Sequence, residues 1–334
     1  MKEEDTMAIS VVVPIYNVDE YLLVCLKSIL SQAFTEFVIY LIDDGSVDCS
    51  GILSDQTIAY DDRIVVVHKK NGGLSDARNC GIELTLLEDQ LSYITFIDSD
   101  DAIKKNYLSI LINESQNKNA DVTICDYESL RSIEDEYNEE LCGYSSHIYS
   151  GIESILCIYK EKSVPIMAWG KLFKTELFHS DIRFPFGKIN EDEKAIPLLL
   201  SKAGTVVMCQ CKLYLYRLRE NSIMQTKFNI QRYDAIEIYD ENIEYFKSIG
   251  ESEVAKAISE IREKSLALFA LLARKHKFYQ NVPVKYRISV PAAFLYLKKN
   301  CKKNELEYYM GLICPKTIIL TEYLKKIRAL VIRK

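Results

Sequence analysis

Four consecutive residues, Asp98-Ser99-Asp100-Asp101, place three carboxylates directly after the apolar run Tyr93–Ile97. Two unit charges about 4 Å apart repel by roughly 4 kcal/mol at an effective dielectric constant near 20, so such a cluster stays ionised where a cation offsets the repulsion. Strand alternation would place Asp98 and Asp100 on one side, as oxygen ligands for Mg²⁺ or Mn²⁺. The alternative is an acidic turn that caps the next helix. The motif alone leaves both interpretations open.

A second pair of acids, Asp43-Asp44, follows the apolar run Phe37–Ile42. A carboxylate at this place can accept a hydrogen bond from the ring N–H of a uracil or from a ribose hydroxyl, or it can cap the next helix. Pro14 ends the first apolar run and leaves backbone groups unpaired near the same edge. Tyr16 follows it, where an aromatic ring stacks on a base or packs at the rim of the core.

The segment Asn71–Asn79 places two glycines before a predicted helix start, with Arg78 one turn inside the helix. Glycine at Gly72 and Gly73 lets the backbone approach a nucleotide closely, and Arg78 can pair with the acidic cluster or with a phosphate. Neither a Walker phosphate loop nor a dinucleotide Gly-x-Gly-x-x-Gly motif is present. The sequence therefore argues against an ATPase and against a dehydrogenase.

Short β-branched runs alternate with amphipathic stretches over the first 125 residues. Nearly continuous apolar runs predict buried strands at Ile9–Val13, Phe37–Ile42, Ile64–Val67, Tyr93–Ile97 and Val122–Cys125. A helix predicted from Asp19 completes a βαβ unit with the first two strands. We therefore expect an α/β fold with a mostly parallel sheet flanked by helices, and a ligand site beyond the carboxyl ends of its strands, where both acidic motifs lie.

The pattern weakens over residues 126–150, which predicts an irregular connection or a pair of edge strands. The elements expected after it are a helix near Lys174–His179, a helix from Asn190 to Gly204, strands at Val206–Cys209 and Leu213–Tyr216, and helices from Phe228 onward. We therefore expect one domain over residues 1–225, with a nucleotide-binding half up to about residue 125 and an acceptor and base half after it. A helical C-terminal region over residues 226–334 follows.

The composition is that of a globular protein, with 48% apolar and 27% charged residues among 334. No signal peptide and no apolar run long enough to span a bilayer is visible. The ten cysteines form neither a zinc spacing nor a disulfide framework, so we expect a cytoplasmic protein. The net charge of −6 conceals a basic end, since Arg274–Lys334 carries 15 Lys and Arg against three Glu.

Six strings occur in a characteristic order: VVVPIYN, IDDGS, NGGLSDARN, FIDSDD, WGKLFK and EDE. In this order and at these distances they resemble glycosyltransferase family 2, and the resemblance covers about residues 8 to 222. That family consists of inverting enzymes with the GT-A fold that use nucleotide sugars. The resemblance implies a metal-dependent transfer, with Mn²⁺ or Mg²⁺ as cofactor and a nucleotide-sugar donor, which we expect to be UDP-linked.

The resemblance also implies roles for individual residues. Asp98 would contact the ribose of the donor or the metal, Asp100 would ligate the metal, and Asp101 would lie alongside. The nucleotide would be surrounded by Pro14, Tyr16, Asp44, Gly73 and Arg78, with Asp43 as a supporting acid.

Displacing a nucleoside diphosphate from an anomeric carbon needs neutralisation of charge at the leaving group, which a metal and an arginine supply. Inversion by direct displacement also needs a carboxylate that takes the proton of the acceptor hydroxyl. The run Glu191-Asp192-Glu193 at a predicted helix start is the candidate, and the resemblance points to Asp192. The alternative is an acidic first turn favoured by the helix dipole.

Four further residues are candidates for the site. Trp169, the only tryptophan, precedes Gly170 and Lys171; its ring either stacks on a sugar face or anchors the core. Arg217 and Arg219 follow a predicted strand, where they close on the diphosphate or remain solvated. After Glu193 the sequence Lys194-Ala195-Ile196-Pro197 departs from the aromatic residues usual in related sequences, which predicts a reshaped acceptor pocket.

In the last segment, apolar residues from Ile319 to Val331 repeat at helical spacing among Lys325, Lys326 and Arg328. This pattern predicts a basic amphipathic helix on an anionic membrane surface, or one packed on the preceding helices. Nucleic acid is not an expected partner, since no nucleic-acid-binding motif accompanies the charge. We expect transfer to a glycan hydroxyl, on a lipid-linked acceptor if the helix binds membrane, in capsule, exopolysaccharide or other cell-surface glycan synthesis. The alternative is an inactive sugar-nucleotide-binding partner of another transferase.

Overall fold

The computed structural model describes residues 8–130, 143–218 and 228–313. The chain divides into two compact units, Met1–Met224 and Gln225–Lys334. The strands of the first unit are β1 (Ala8–Ile15), β2 (Phe37–Asp43), β3 (Ile64–His68), β4 (Leu91–Phe96), β5 (Ala102–Ile103), β6 (Val122–Leu130), β7 (Ser146–Tyr149), β8 (Lys171–Lys174) and β9 (Val206–Arg217). Its α-helices are α1 (Asp19–Leu30), α2 (Ser50–Ile58), α3 (Leu74–Leu86), α4 (Tyr107–Lys118), α5 (Gly151–Leu156) and α6 (Glu191–Lys202).

Strands β1 to β4 form the parallel part of the sheet, in the order β3-β2-β1-β4. The apolar runs of β1, β2 and β4 are largely buried, as expected for strands covered by helices on both faces, whereas in the edge strand β3 only Ile64 is buried. In the register of these strands Ile15 lies beside Asp43, and Asp43 lies beside His68. The strand order reverses at β1, since β2 and β4 lie on opposite sides of it. The carboxyl ends of these strands therefore meet at a topological switch point, the place where α/β sheets bind ligands in a crevice.

The second part of the sheet is mixed, in the order β4-β8-β6-β9-β5 with β7 also on β9. Only β6 and β9 are parallel here, so the expected mostly parallel arrangement holds for the first four strands. The strands expected at Val206–Cys209 and Leu213–Tyr216 are one strand, β9. Its register against β6 shifts on either side of Asp126, which lets a single strand continue through the interruption.

Helix α6 is held close to α5 by a glycine. A Cβ on Gly151 would collide with the carbonyl oxygens of Leu200 and Ala203, so only glycine permits this approach. The N-cap of α5 is Ser150, in a capping box with Glu153. A π-helical turn, Cys157–Glu161, continues α5, and the helix expected near Lys174–His179 is a 3₁₀ helix, Thr175–His179. The proline that departs from related sequences lies inside α6.

The second unit is helical over its described residues, as expected from the sequence. Its elements are 3₁₀ turns at Ile230–Tyr233, Tyr279–Asn281 and Val284–Tyr286, and helices α7 (Asp234–Ser248), α8 (Ser252–Lys275), α9 (Val290–Asn300) and α10 (Lys303–Ile313). Small side chains on α8, Ala267 and Ala270, pack with Leu297 of α9 in its core. Gly250 lies two residues beyond α7 with a φ of +84°, a left-handed conformation common just after a helix end.

In the part of the chain that the structure describes, no helix is both long and apolar enough to cross a membrane. Arg219 and the basic segment from residue 314 onward, including the predicted amphipathic helix, lie outside the described residues.

Candidate functional site

Asp44 binds the backbone of the glycine loop, Gly72-Gly73. Its buried carboxylate accepts hydrogen bonds from the backbone N–H groups of Gly72, at 2.9 Å, and Gly73, at 2.7 Å. The ammonium of Lys69 donates to the same carboxylate at 2.5 Å and also pairs with Asp76. The side-chain amide of Asn71 donates to the carbonyl oxygen of Asp44. Asp44 therefore fixes the shape of the loop that leads into α3, and Lys69 is a site residue that the motif analysis missed.

The two glycines of this loop differ in their backbone conformation and in their surroundings. Gly73 has a φ of +89°, a left-handed conformation that glycine adopts without strain, and no atom lies near the place of a Cβ. A Cβ on Gly72 would instead collide with the carboxylate of Asp76. The loop thus leaves open backbone at Gly73.

Asp43 is paired with a histidine of the neighbouring strand. Its Oδ2 lies 2.8 Å from Nδ1 of His68, and its Oδ1 accepts from the backbone N–H of Ser46. Burial acts to raise the pKa of Asp43, but the hydrogen bonds from Ser46 and His68 outweigh it and lower that pKa. Nε2 of His68 lies 2.9 Å from Asp55, and its bonds to Asp43 and Asp55 raise the pKa of His68. Asp43 therefore links the end of β2 to the end of β3 through His68.

Arg78 joins three carboxylates, two of which lie more than a hundred residues further along the sequence. Its side chain is 1% exposed. Nη1 donates to Glu191 at 2.8 Å and to Asp192 at 3.1 Å, and Nη2 donates to Asp98 at 2.9 Å. Burial would lower the pKa of Arg78, but the carboxylates, with Asp192 the strongest, outweigh it and raise that pKa. The guanidinium therefore stays charged and links the acidic turn to the first turn of α6.

Arg78 is itself supported by the chain before α6. The ring of Phe184 lies 5.3 Å from the guanidinium carbon, within cation–π distance. Asn79 holds the backbone of Phe184 on both sides, donating to its carbonyl at 2.8 Å and accepting from its N–H at 2.9 Å. The motif NGGLSDARN contains this asparagine, but only the fold shows what it binds.

The acidic turn after β4 divides its three carboxylates between two environments. Asp101 is 1% exposed and accepts from the hydroxyl of Tyr214 and from the backbone N–H of Arg217. Burial, with the charges of Asp100 and Asp98, raises the pKa of Asp101 well above its usual value. Asp98 and Asp100 are partly exposed, and Asp98 meets Arg78. Asp101 therefore holds β9 in place, whereas Asp98 and Asp100 remain partly exposed.

Asp192 combines burial with three charged neighbours. Its side chain is 17% exposed and lies in the first turn of α6. Burial raises its pKa to about 7; Arg78 opposes this rise, whereas Glu191 and Asp98 add to it. A carboxyl group with a pKa near neutrality accepts a proton in the transition state more effectively than an ordinary aspartate. The next acid, Glu193, accepts from the hydroxyl of Tyr159 at 3.2 Å.

Trp169 and Lys171 lie in the interior, which favours the core alternative for Trp169. Its ring is 4% exposed and stacks on Tyr214, with centroids 4.3 Å apart, and meets Tyr127 edge-on. Stacking on a sugar would require a ring face that these neighbours occupy. Lys171 is fully buried and donates to the carbonyl oxygens of Pro165 and Met167; burial lowers its pKa to about 7. Lys171 thus fixes the segment that leads into β8.

The remaining predicted residues lie around the rim. Pro14 is buried in β1 beside Ile42, and Tyr16, 50% exposed, follows the end of that strand. Nε of Arg217 donates to the carbonyl oxygen of Asp100 at 2.7 Å, and its guanidinium lies 5.2 Å from the ring of Tyr21. One nitrogen of this guanidinium, Nη2, is buried without a hydrogen-bond partner. Arg217 therefore retains a donor beside the acidic turn.

The acidic residues of this region can be compared with the ligands that a divalent cation needs. Among residues 8–130, 143–218 and 228–313, no group of three or more His, Cys, Asp or Glu is arranged to hold a metal by itself. Mg²⁺ in nucleotide enzymes needs fewer protein ligands, since one or two carboxylates suffice beside substrate phosphates and waters. Asp98 and Asp100 provide such a pair of hard oxygen ligands. The residues present therefore fit a metal that arrives with a diphosphate, and Asp101 does not belong to that set.

Comparison with known proteins is consistent with this geometry. The family model described as Glycosyl transferase family 2 matches residues 10–162. Glycosyltransferase GlyG of Streptococcus pneumoniae serotype 4 is 35% identical over 243 residues, which span 70% of this chain and 79% of GlyG. Glycosyltransferase GlyA of the same organism is 32% identical over 248 residues, or 72% of this chain but only 35% of GlyA.

The fold has counterparts among solved structures. The crystal structure of S. aureus TarS 1-349 in complex with UDP-GlcNAc superposes with a TM-score of 0.58 at 19% identity, covering 92% of this chain and 82% of that one. At this identity the likeness shows a shared GT-A fold. The motif order, the family model and the similarity to GlyG together show that the chain belongs to glycosyltransferase family 2.

Proposed function

We propose that the chain transfers a sugar, with inversion, from a UDP-linked donor to a hydroxyl of a glycan acceptor. The observation that carries the proposal is the Arg78 bridge. One buried guanidinium binds Asp98, at the strand end where the donor is expected, and Asp192, in the first turn of α6. The groups suited to leaving-group binding and to proton transfer therefore meet at one point.

In the proposed reaction Asp192 accepts the proton of the acceptor hydroxyl. The hydroxyl oxygen forms a bond to the anomeric carbon from one face, while the bond from that carbon to the diphosphate oxygen breaks on the other face. The products are the glycoside and the nucleoside diphosphate. A pKa near 7 lets Asp192 be largely ionised at slightly alkaline pH and still basic enough to take the proton.

The leaving diphosphate needs positive charge around it. Asp98 and Asp100 would hold Mn²⁺ or Mg²⁺, which supplies Lewis-acid neutralisation of the phosphate oxygens when bound. The unpartnered Nη2 of Arg217 belongs to a side chain that already binds the backbone of this turn, so it is a candidate donor to the diphosphate. Arg219 remains a candidate for the same role. Arg78 is not proposed for this role, because its guanidinium already binds three carboxylates.

The nucleoside is proposed to lie over the ends of β1 and β2. Tyr16 offers an exposed ring for stacking on a base, and the open backbone at Gly73 offers an approach that no side chain blocks. Asp44 is buried below this loop, so it acts by holding the loop in shape. A uracil base is supported by the UDP-GlcNAc complex of TarS, which has the same fold.

The acceptor is proposed to be a growing cell-surface glycan, such as a capsular polysaccharide or exopolysaccharide. A lipid-linked acceptor would place the enzyme at the inner face of the cell membrane, as a cytoplasmic protein with peripheral contact. The basic stretch beyond residue 313 is a candidate for such a contact.

The proposal is tested by a panel of nucleotide sugars, measured by thermal shift with Mn²⁺ and with a chelator. Because a ligand that binds only the folded state raises Tm by mass action, we expect UDP-sugars to stabilise the protein and GDP-sugars to leave Tm unchanged. The stabilising donor is then assayed for release of UDP with and without saccharide acceptors. Stabilisation by GDP-sugars alone would contradict the UDP assignment. Binding without UDP release from any donor would favour the inactive sugar-nucleotide-binding alternative.

A further inference from the structure

Helix α9 of the second unit is apolar on both of its faces. Its inner face packs on α8 through Ala293 and Leu297, which are fully buried. Its outer face carries Phe294, 39% exposed, and Leu295, 64% exposed. A helix that is apolar all round is normally covered on every side, so we expect another surface to bind this outer face.

The exposed apolar residues form one continuous surface. Side chains three or four positions apart lie next to each other on a helix, so Val290 adjoins Phe294, and Phe294 and Leu295 both adjoin Lys298. Val290 is 39% exposed. We call this surface, formed by Val290, Phe294, Leu295, Lys298 and Lys299, the outer α9 face.

The charge within the sequence of this segment has a single sign. From Val284 to Lys303 the sequence contains six Lys and Arg and neither Asp nor Glu. Lys298 and Lys299 follow Leu295 within about one turn of α9, Lys302 and Lys303 come just after the end of that helix, and all four are exposed. A flexible lysine beside an exposed apolar residue can reach a charged surface while the apolar side chain enters a water-poor layer.

We propose that the outer α9 face docks on an anionic lipid bilayer, with Phe294 and Leu295 at the boundary between headgroups and acyl chains and the neighbouring lysines at lipid phosphates. The combination of an apolar patch and a rim of lysines is that of an interfacial helix. Positive charge within a Debye length of an anionic leaflet is attracted to it, whereas the apolar patch gains from leaving water.

Charge decides between this occupant and a second copy of the chain. Pairing of the outer α9 face with itself would bring lysines against lysines, and lysine is depleted in protein interfaces. An acidic bilayer surface neutralises the same lysines. Phosphates of a nucleic acid would satisfy the charge but offer no apolar layer for Leu295. Of these three occupants, the anionic bilayer is the one that satisfies both parts of the face.

The test is sedimentation of the full chain with vesicles of phosphatidylcholine alone or mixed with phosphatidylglycerol. We expect binding to the mixed vesicles, weakened by high salt, and little binding to phosphatidylcholine alone. Leu295→Glu should lower the partition coefficient by about tenfold or more, because it removes apolar contact and adds a negative charge. The double substitution Lys298→Gln with Lys299→Gln should lower it by about tenfold.

Matched controls lie in the first unit. Leu87, 78% exposed, is a leucine outside the face, and Leu87→Glu should leave vesicle binding unchanged. The exposed Lys27 and Lys105 serve in the same way for the charge pair, as Lys27→Gln with Lys105→Gln. Circular dichroism and thermal unfolding report folding of every variant, so that loss of vesicle binding is separated from unfolding.

Three outcomes would overturn the proposal. The first is wild-type protein that does not sediment with phosphatidylglycerol vesicles. The second is a Leu295→Glu variant that is folded and binds them as tightly as wild type. The third is a wild-type dimer that Leu295→Glu converts to a monomer with vesicle binding unchanged, which would assign the face to a second copy. None of these outcomes depends on the sugar donor.

Discussion

Nη1 of Arg78 lies 3.1 Å from Oδ1 of Asp192, so the proposed base is held by a guanidinium that is itself 1% exposed. The same side chain binds Asp98, 20 positions later in the sequence and at the strand end where the donor is proposed to bind. Arg78 is therefore a positioning residue between the two halves of the proposed chemistry. Its charge also lowers the pKa of Asp192 against the effect of burial.

Arg78→Gln should move the pH dependence of donor hydrolysis. The charge of Arg78 is the largest influence that favours ionised Asp192, so its loss raises the pKa of Asp192 and shifts the rising limb of kcat/KM to higher pH. The variant should also be less stable, by about 3 to 5 kcal/mol, because buried carboxylates lose their partner. Hydrolysis assays across pH and urea unfolding measure the two effects.

Arg78→Lys and a surface arginine give the controls for this prediction. A lysine at this position would keep the charge without the two-armed geometry, so the shift in pH should be smaller than for Arg78→Gln. Arg63 forms an ion pair with Asp61, 2.7 Å apart, just before the start of β3 and so at the opposite end of the strand from the acidic residues. Arg63→Gln should therefore leave the pH profile unchanged. An unchanged profile for Arg78→Gln would show that Arg78 does not act on the ionisation of the base.

Asp192→Asn should remove the proton acceptor without removing the donor site. In the wild type, kcat/KM for hydrolysis should rise with pH and level off above about 7, because the active form of Asp192 is the ionised one. In Asp192→Asn the rate should fall by about 10²- to 10⁴-fold and lose this rise. Calorimetry should show unchanged affinity for UDP.

Glu193→Gln is the matched control for Asp192→Asn, since it alters the next carboxylate of α6, which binds Tyr159. It should retain the wild-type pH profile. Equal loss of activity in both variants would assign the effect to the first turn of α6 as a whole.

The strands and their acidic ends could be predicted because both signals are local. A strand buried on two faces needs a continuous apolar run, and β1 to β4 each show one. The partners of the acids could not be predicted, because they depend on register and on packing between distant segments. His68 reaches Asp43 only because β3 lies beside β2, and Arg78 reaches Asp192 across 114 positions of sequence.

The same distinction explains what the sequence left open in the second half of the fold. β8 has four residues and no apolar run long enough to identify it, yet it lies between β4 and β6 in the sheet. Trp169 has the spacing of a sugar-binding aromatic residue, but its stacking on Tyr214 depends on where β9 passes. Asp101 was grouped with its neighbours by sequence, whereas Tyr214 and Arg217 draw its carboxylate inward.

Asp44→Asn should weaken nucleotide binding indirectly. The carboxylate accepts hydrogen bonds from two backbone N–H groups and from Lys69. In asparagine an NH₂ group, which can only donate, replaces one of the two accepting oxygens. Loss of hydrogen bonds to a charged group should raise the Kd for UDP by about ten- to a hundredfold. Asp55→Asn alters a carboxylate that is 58% exposed and should leave Kd unchanged. Titration calorimetry measures both, and equal affinity of Asp44→Asn and wild type would show that the loop keeps its shape without this carboxylate.

Asp100→Asn and Asp101→Asn should separate metal binding from fold stability within one turn. Asp100 is one of two partly exposed carboxylates that fit a metal beside the diphosphate, so Asp100→Asn should raise the Mn²⁺ concentration for half-maximal hydrolysis with little change in Tm. Asp101 accepts from Tyr214 and Arg217 in the interior, and an amide N–H₂ would oppose one of these donors. Asp101→Asn should therefore lower stability by about 1 to 3 kcal/mol and leave the Mn²⁺ requirement unchanged. Manganese titrations and thermal unfolding of both variants check this division, and a raised Mn²⁺ requirement in Asp101→Asn at unchanged Tm would reverse it.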